Sequence, residues 1–187
     1  MPRWSKFLIP TASGSDLRKA AGLALAGAII AGCFGIIHDQ VTYAISPEYF
    51  TRMKFDQFRW ADLGFPKRVF VAEIGFLATW WVGLVATWFL ARLALPTFKS
   101  PRTRVLQAVA KISAITTLFS VAGYLIGPWF FGDRPGWHEG LQEMGVENPR
   151  AFHQVAGVHL ASYIGAVIGW IVMMVVFFKK RGDRRKD

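Results

Sequence analysis

His38, Asp39, Glu73 and His159 are ionisable residues inside otherwise apolar runs of this 187-residue chain. Imidazole nitrogens and carboxylate oxygens ligate divalent transition metals, and the same groups pass protons. Two imidazoles with one or two carboxylates suit zinc, iron or manganese. His38, Asp39 or Glu73, and His159 are therefore a candidate ligand set. Two other chemistries use part of it. His38 and His159 are a candidate axial pair for haem iron, with Gly35 making room, and Asp39 with Glu73 is a candidate proton or quinone relay. The bland alternative is a polar network that fixes helix register, because buried polar groups must be satisfied in any case. No HExxH or ExxH motif is present to decide among them.

A second group, His138, Glu139 and Glu143, falls in a polar stretch, with the two acids one helical turn apart. It is a conceivable surface metal set, although exposed acidic helices usually just face water. A single cysteine, Cys33, excludes an internal disulfide and any CxxC motif, and its place in an apolar run makes it a small packing residue.

The elements that must carry these residues follow from hydropathy. The chain is 53% hydrophobic, 15% aromatic and 18% charged, too apolar for a soluble domain of this size. Crossing a hydrocarbon core takes about 20 apolar residues. Four segments qualify, at about 20–43, 69–91, 105–131 and 151–178. Lipid offers no partner to a free amide, so each must be a helix. The expected fold is all-α, a polytopic membrane four-helix bundle spanning 20–178, between a basic amino-terminal segment (1–19) and a basic tail (179–187). The first span is read as retained, its apolar run being longer than a signal-peptide core of about 7–15 residues.

The formal net charge of +10 invites a nucleic-acid reading, but the cations are clustered between apolar runs. Arg3, Lys6, Arg18 and Lys19 precede the first span. Arg92, Lys99, Arg102 and Arg104 join the second to the third, and Lys179, Lys180, Arg181, Arg184, Arg185 and Lys186 follow the fourth. The two remaining loops are nearly balanced in charge. Positive-inside then places both termini in the cytoplasm and the balanced loops outside. Nucleic acid is not an expected partner; the bilayer is, with anionic lipid at the basic tail.

In the first outer loop, Ser46-Pro47-Glu48 reads as a helix start, and the aromatics and charges of 49–60 suit a short interfacial helix. In the second, Gly132-Asp133-Arg134-Pro135-Gly136 reads as turns, and Asn148-Pro149 caps the fourth span. Gly157, Ala161, Gly165 and Gly169 form a small-residue stripe on the fourth span. Ala24, Ala28 and Gly32, with Ala31 and Gly35 beside them, offer another on the first. These stripes fit packing within the bundle or a homodimer seam, the former being favoured. At about 1.5 Å per residue, His38, Asp39, Glu73 and His159 all fall towards the outer ends of their spans, with Tyr124 of the third at similar depth. His153, about 120° around the helix from His159, is placed at the interface instead.

Three stretches carry a resemblance: His38-Asp39-Gln40-Val41-Thr42-Tyr43-Ala44-Ile45-Ser46-Pro47-Glu48-Tyr49-Phe50-Thr51, Ala78-Thr79-Trp80-Trp81-Val82-Gly83, and Val158-His159 with Ser162-Tyr163-Ile164-Gly165. Together they resemble a group of uncharacterised bacterial four-span membrane proteins. The resemblance implies this architecture and an inner-membrane location, and marks His38, Asp39, Glu48, Tyr49 and His159 for attention; it carries no activity. The functional expectation is a plasma-membrane protein with a metal or proton-relay site between helices near the outer face. The rival is a non-catalytic accessory or assembly subunit of a larger membrane complex.

Overall fold

Each apolar run folds as one long helix, because only a helix pairs every backbone amide within a single segment. A computed structural model describes residues 13–132, 134 and 136–183. The cations at 3, 6, 184, 185 and 186, and Asp133 and Pro135 of the loop between the third and fourth spans, lie outside the described residues. Four long helices dominate: α1 (Gly14–Ile45), α2 (Lys67–Ala94), α3 (Pro101–Gly132) and α4 (Pro149–Asp183). Among the described residues there is no strand. The helices hold 32, 28, 32 and 35 residues. At about 1.5 Å per residue, all exceed a bilayer core of roughly 30 Å.

The helices outrun the apolar segments at both ends. Ser13 caps α1, its hydroxyl accepting from the Asp16 amide at 3.2 Å, so the basic turn with Arg18 and Lys19 is already helical. At the other extreme, α4 carries Lys179 to Arg181 as its last turns. All four helices are long and apolar enough to cross a membrane. Large apolar side chains cover their outer surface, among them Ile37, Val41, Leu118, Leu125 and Val167, each more than half exposed. Such a surface is stable against lipid and not against water. The chain is an all-α, multi-pass membrane protein.

Packing divides the bundle into two helical hairpins, α1 on α2 and α3 on α4, with far sparser contact between them. Small residues create both seams. A Cβ on Gly35 would collide with the Gly75 carbonyl, and one on Gly123 with the Gly157 carbonyl. Backbones this close gain dispersion contacts that larger residues would forbid. Thr79 ties the first seam, donating to the carbonyls of Ala31 and Gly75, both at 2.8 Å. The Gly157, Ala161 and Gly165 stripe is spent against Gly123, Gly127 and Phe119 of α3. Both stripes therefore serve packing inside the chain.

The hairpins meet through a core at each end. The core nearer the two termini joins Leu23, Leu90 and Ala94 to Val105, Met173 and Phe177. The opposite core joins Tyr49, Phe50 and Val71 to Leu141, Phe152 and Val155. Beside that second core the ionisable side chains come together.

Candidate functional site

Local structure fixes the presentation of His38 and Asp39. They lie on the last two turns of α1, where the Thr42 hydroxyl donates back to the His38 carbonyl at 3.0 Å and the Asp39 carbonyl at 3.3 Å. Such back-bonding holds Thr42 against its own helix, leaving the carboxyl and imidazole free for partners across the bundle. On α4 the Ser162 hydroxyl donates to the His159 carbonyl at 2.8 Å. Because the glycine stripe of α4 is pressed against α3, the His159 face turns towards α1. The seam thus sets the rotation that brings the two hairpins' polar groups together.

His38, Asp39 and His159 each offer a ligand atom, and the three atoms lie within 4.8 Å of one another. The His159 Nε2 atom is 3.9 Å from Asp39 Oδ1, and the two imidazole centroids are 5.0 Å apart, edge to face. Asp39 is 4% exposed and His159 6%. At these separations the groups do not hydrogen-bond to each other. The Nε2 atoms of both His38 and His159 are buried without a hydrogen-bond partner. A buried polar atom left in this condition costs about 1–3 kcal/mol.

The segment after α1 roofs the group. The Ser46 hydroxyl accepts from the Tyr49 amide and Pro47 occupies the first turn, followed by a five-residue π-helical turn, Phe50–Lys54. The wider turn lets the neighbours Tyr49 and Phe50 both point inward. Tyr49 stacks on His159 at 4.9 Å and 11°, and Phe50 meets the same imidazole at 6.1 Å. Phe34 stacks on His38 at 5.9 Å, closing the side towards the bilayer centre. Burial, with Tyr163 and Asp39 nearby, pushes the Tyr49 hydroxyl above its ordinary range, so it stays a neutral phenol. Lys54 sits 6.0 Å from the Tyr49 ring. Burial lowers its ammonium, and the Asp39 carboxyl opposes that shift. Two imidazoles and a carboxyl thus stand in an aromatic box with one cation at its rim.

Glu48 braces the roof. Its carboxylate accepts from the amides of Glu147 at 2.8 Å and Asn148 at 2.9 Å, about a hundred residues on. Asn148 in turn caps α4, accepting from the Ala151 amide at 3.1 Å. An acid at a helix amino terminus satisfies free donors and complements the dipole. Here it also joins the roof over His159 to the start of the helix that carries His159.

Other sequence candidates fall elsewhere. Glu73 has a buried Oε2 atom without a partner, but it does not join the three-residue group. On α2 the residues facing α1 are those around Gly75, and Glu73 lies on another side of that helix. Tyr124 is 36% exposed on the outer surface of α3, because Gly123 takes the inward position. His153 lies in the second turn of α4, buried and stacked with Phe131 at 6.3 Å beneath Trp137. His138 pairs with Gln142 at 3.1 Å, and no second metal-type group forms among the described residues. The haem pairing does not fit. A porphyrin needs a flat slot between its axial imidazoles, whereas these meet edge to face, with Tyr49 and Phe34 stacked on them. Gly35 opens no room either, being packed against Gly75 and Thr79.

Sequence reasoning missed Phe34, Phe50 and Lys54 as walls of the site. Phe50 and Lys54 were signalled only by the mix of aromatics with a lysine directly after the span carrying His38, and Phe34 only by its place one turn before His38. No family model matches the chain, and no curated protein or solved structure matches it either.

Proposed function

We propose that this protein binds a divalent transition metal, zinc, iron or manganese, through His38, Asp39 and His159, between two helical hairpins near the outer face of the bacterial plasma membrane. The observation that carries the reading is the convergence of three ligand atoms within 4.8 Å, on two histidines whose Nε2 atoms are buried without partners and one buried aspartate. A cation would satisfy all three at once and would offset the cost of a carboxyl at membrane depth. Two imidazoles and one carboxylate leave a coordination position open, as in catalytic rather than closed structural sites. The outward placement rests on the clustering of cations at the opposite end of the bundle.

The resemblance to bacterial four-span proteins belongs to this proposal. Its stretches supply both histidines, Asp39, the Tyr49 roof and the Glu48 brace, so one set of residues accounts for the motif. Membership of a larger complex is the second reading, favoured by one observation: Trp60 and Leu63 in the first outer loop are 76% and 73% exposed. The proton-relay reading has less support, since Glu73 does not join the group.

Titration of the purified full chain with Co²⁺ tests the proposal. The expected outcome is a saturable visible d–d spectrum at one ion per chain, abolished in His159→Ala and strongly reduced in Asp39→Asn. A spectrum that is absent, or unchanged in both variants, rejects the site.

A further inference from the structure

The opposite end of the bundle holds a cavity of about 350 Å³, lined by Thr97, Phe98, Lys99, Ser100, Arg104, Lys180 and Asp183. The lining carries three cations, one carboxylate and the Ser100 hydroxyl, while the Thr97 hydroxyl donates back to the Leu93 carbonyl at 2.6 Å. Ser100 of the lining directly precedes α3, so the positive dipole end of a long helix lies beside the cavity. Arg104 is held in place there, its guanidinium 5.9 Å over the Phe98 ring and its Nη1 donating to Gln107 at 3.4 Å.

The lining is chemically two-sided. Phe98 packs on Phe177 at 4.9 Å and lies against the apolar core at this end. Lys99, Arg104 and Lys180 supply the polar wall. A ligand that fits must carry a phosphate-like anion next to an apolar portion, at the level where spanning helices leave the hydrocarbon. We infer that this cavity binds the phosphate ester of an anionic phospholipid at the basic face of the membrane. A diffuse attraction of lipid to clustered lysines needs no cavity and shows no saturation. A built site shows both headgroup selectivity and saturation. Soluble phosphate shares the anionic chemistry but makes no use of the apolar wall.

Calorimetric titration of the full-length protein in uncharged micelles tests this, with dioctanoyl phosphatidylglycerol, dioctanoyl phosphatidylcholine and inorganic phosphate as separate probes. The expected result is one saturable phosphatidylglycerol site, with phosphatidylcholine and inorganic phosphate each at least about tenfold weaker. Lys99→Gln combined with Lys180→Gln should weaken phosphatidylglycerol binding about twenty-five-fold, each cation near a headgroup contributing about fivefold. Arg102→Gln combined with Lys179→Gln removes the same charge outside the lining and should change affinity less than about threefold. Asp183→Asn should tighten binding severalfold, a gain that misfolding cannot imitate. Equal losses in the two double variants, or equal affinity for the two lipids, overturn the site. Inorganic phosphate binding as tightly as phosphatidylglycerol, and lost in the lining variant, overturns the lipid source and assigns the cavity to a soluble phosphate ester.

Discussion

The two ends of the bundle solve the same packing problem with opposite materials. At the end nearer the termini, Leu90, Ala94, Val105 and Met173 pack as a plain apolar core. At the other end Phe50, Val71 and Phe152 form a comparable core, yet Asp39 and His159 are drawn in beside it, both nearly inaccessible. An apolar core would have sufficed there too, as the first end demonstrates. Among the described residues Asp39, His153 and His159 are the buried Asp and His side chains, all at this end, and only Asp39 and His159 converge with a third ligand-type group, His38.

The comparison can be broken at its shared scaffold. Gly157→Leu would drive a side chain into the Gly123 carbonyl and the Gly127 backbone. The expected cost is at least about 3 kcal/mol, since backbone rather than a flexible side chain must yield. Both ends should fail together, read as loss of a monodisperse peak in size exclusion. Retention of fold and metal binding would mean that the seam does not set the rotation of α4.

Leu90→Ala separates the ends. Leu90 is fully buried in the terminal-side core, so its truncation should cost about 2–5 kcal/mol in detergent unfolding. Metal stoichiometry measured below the melting transition should be unchanged. A fall in stoichiometry would show that the two ends are coupled through the bundle.

Glu48→Gln acts only at the site end. Losing the charge that accepts from the Glu147 and Asn148 amides should cost about 1 kcal/mol of stability. Because the same carboxylate fixes the roof over His159, metal affinity should also drop about tenfold, the lower range for outer-shell groups. Unaltered affinity would reduce Glu48 to a simple helix cap.

His159→Leu is the smallest expected change in stability and the sharpest in meaning. It removes a buried nitrogen without a partner, so the metal-free protein should be as stable as the parent or up to about 1 kcal/mol more stable. A loss of several kcal/mol without metal would instead make His159 a packing residue.

Hydropathy alone made the four helices legible, because a spanning segment has few alternatives to a helix. The choice between Asp39 and Glu73 was not legible. Both sit at similar depth, and only the rotation imposed by the Gly35 and Gly75 contact decides which carboxyl accompanies the histidines. The roof was hidden for a related reason. The π-helical turn at Phe50–Lys54 changes the angular phase, so an ordinary 3.6-residue period does not place Tyr49 and Phe50 on one face. Glu48 looked like a local acid at a helix start, while its partners are Glu147 and Asn148.

Elemental analysis of protein purified from membranes without chelator tests the central claim most directly, comparing the parent with His159→Ala and His153→Ala. His153 is a buried histidine on the same helix but outside the three-residue group. The account predicts close to one transition-metal ion per chain in the parent and in His153→Ala, and less than about a tenth of that in His159→Ala. Metal-free parent protein that also fails to take up added Zn²⁺ or Fe²⁺, or equal metal in all three proteins, would contradict it.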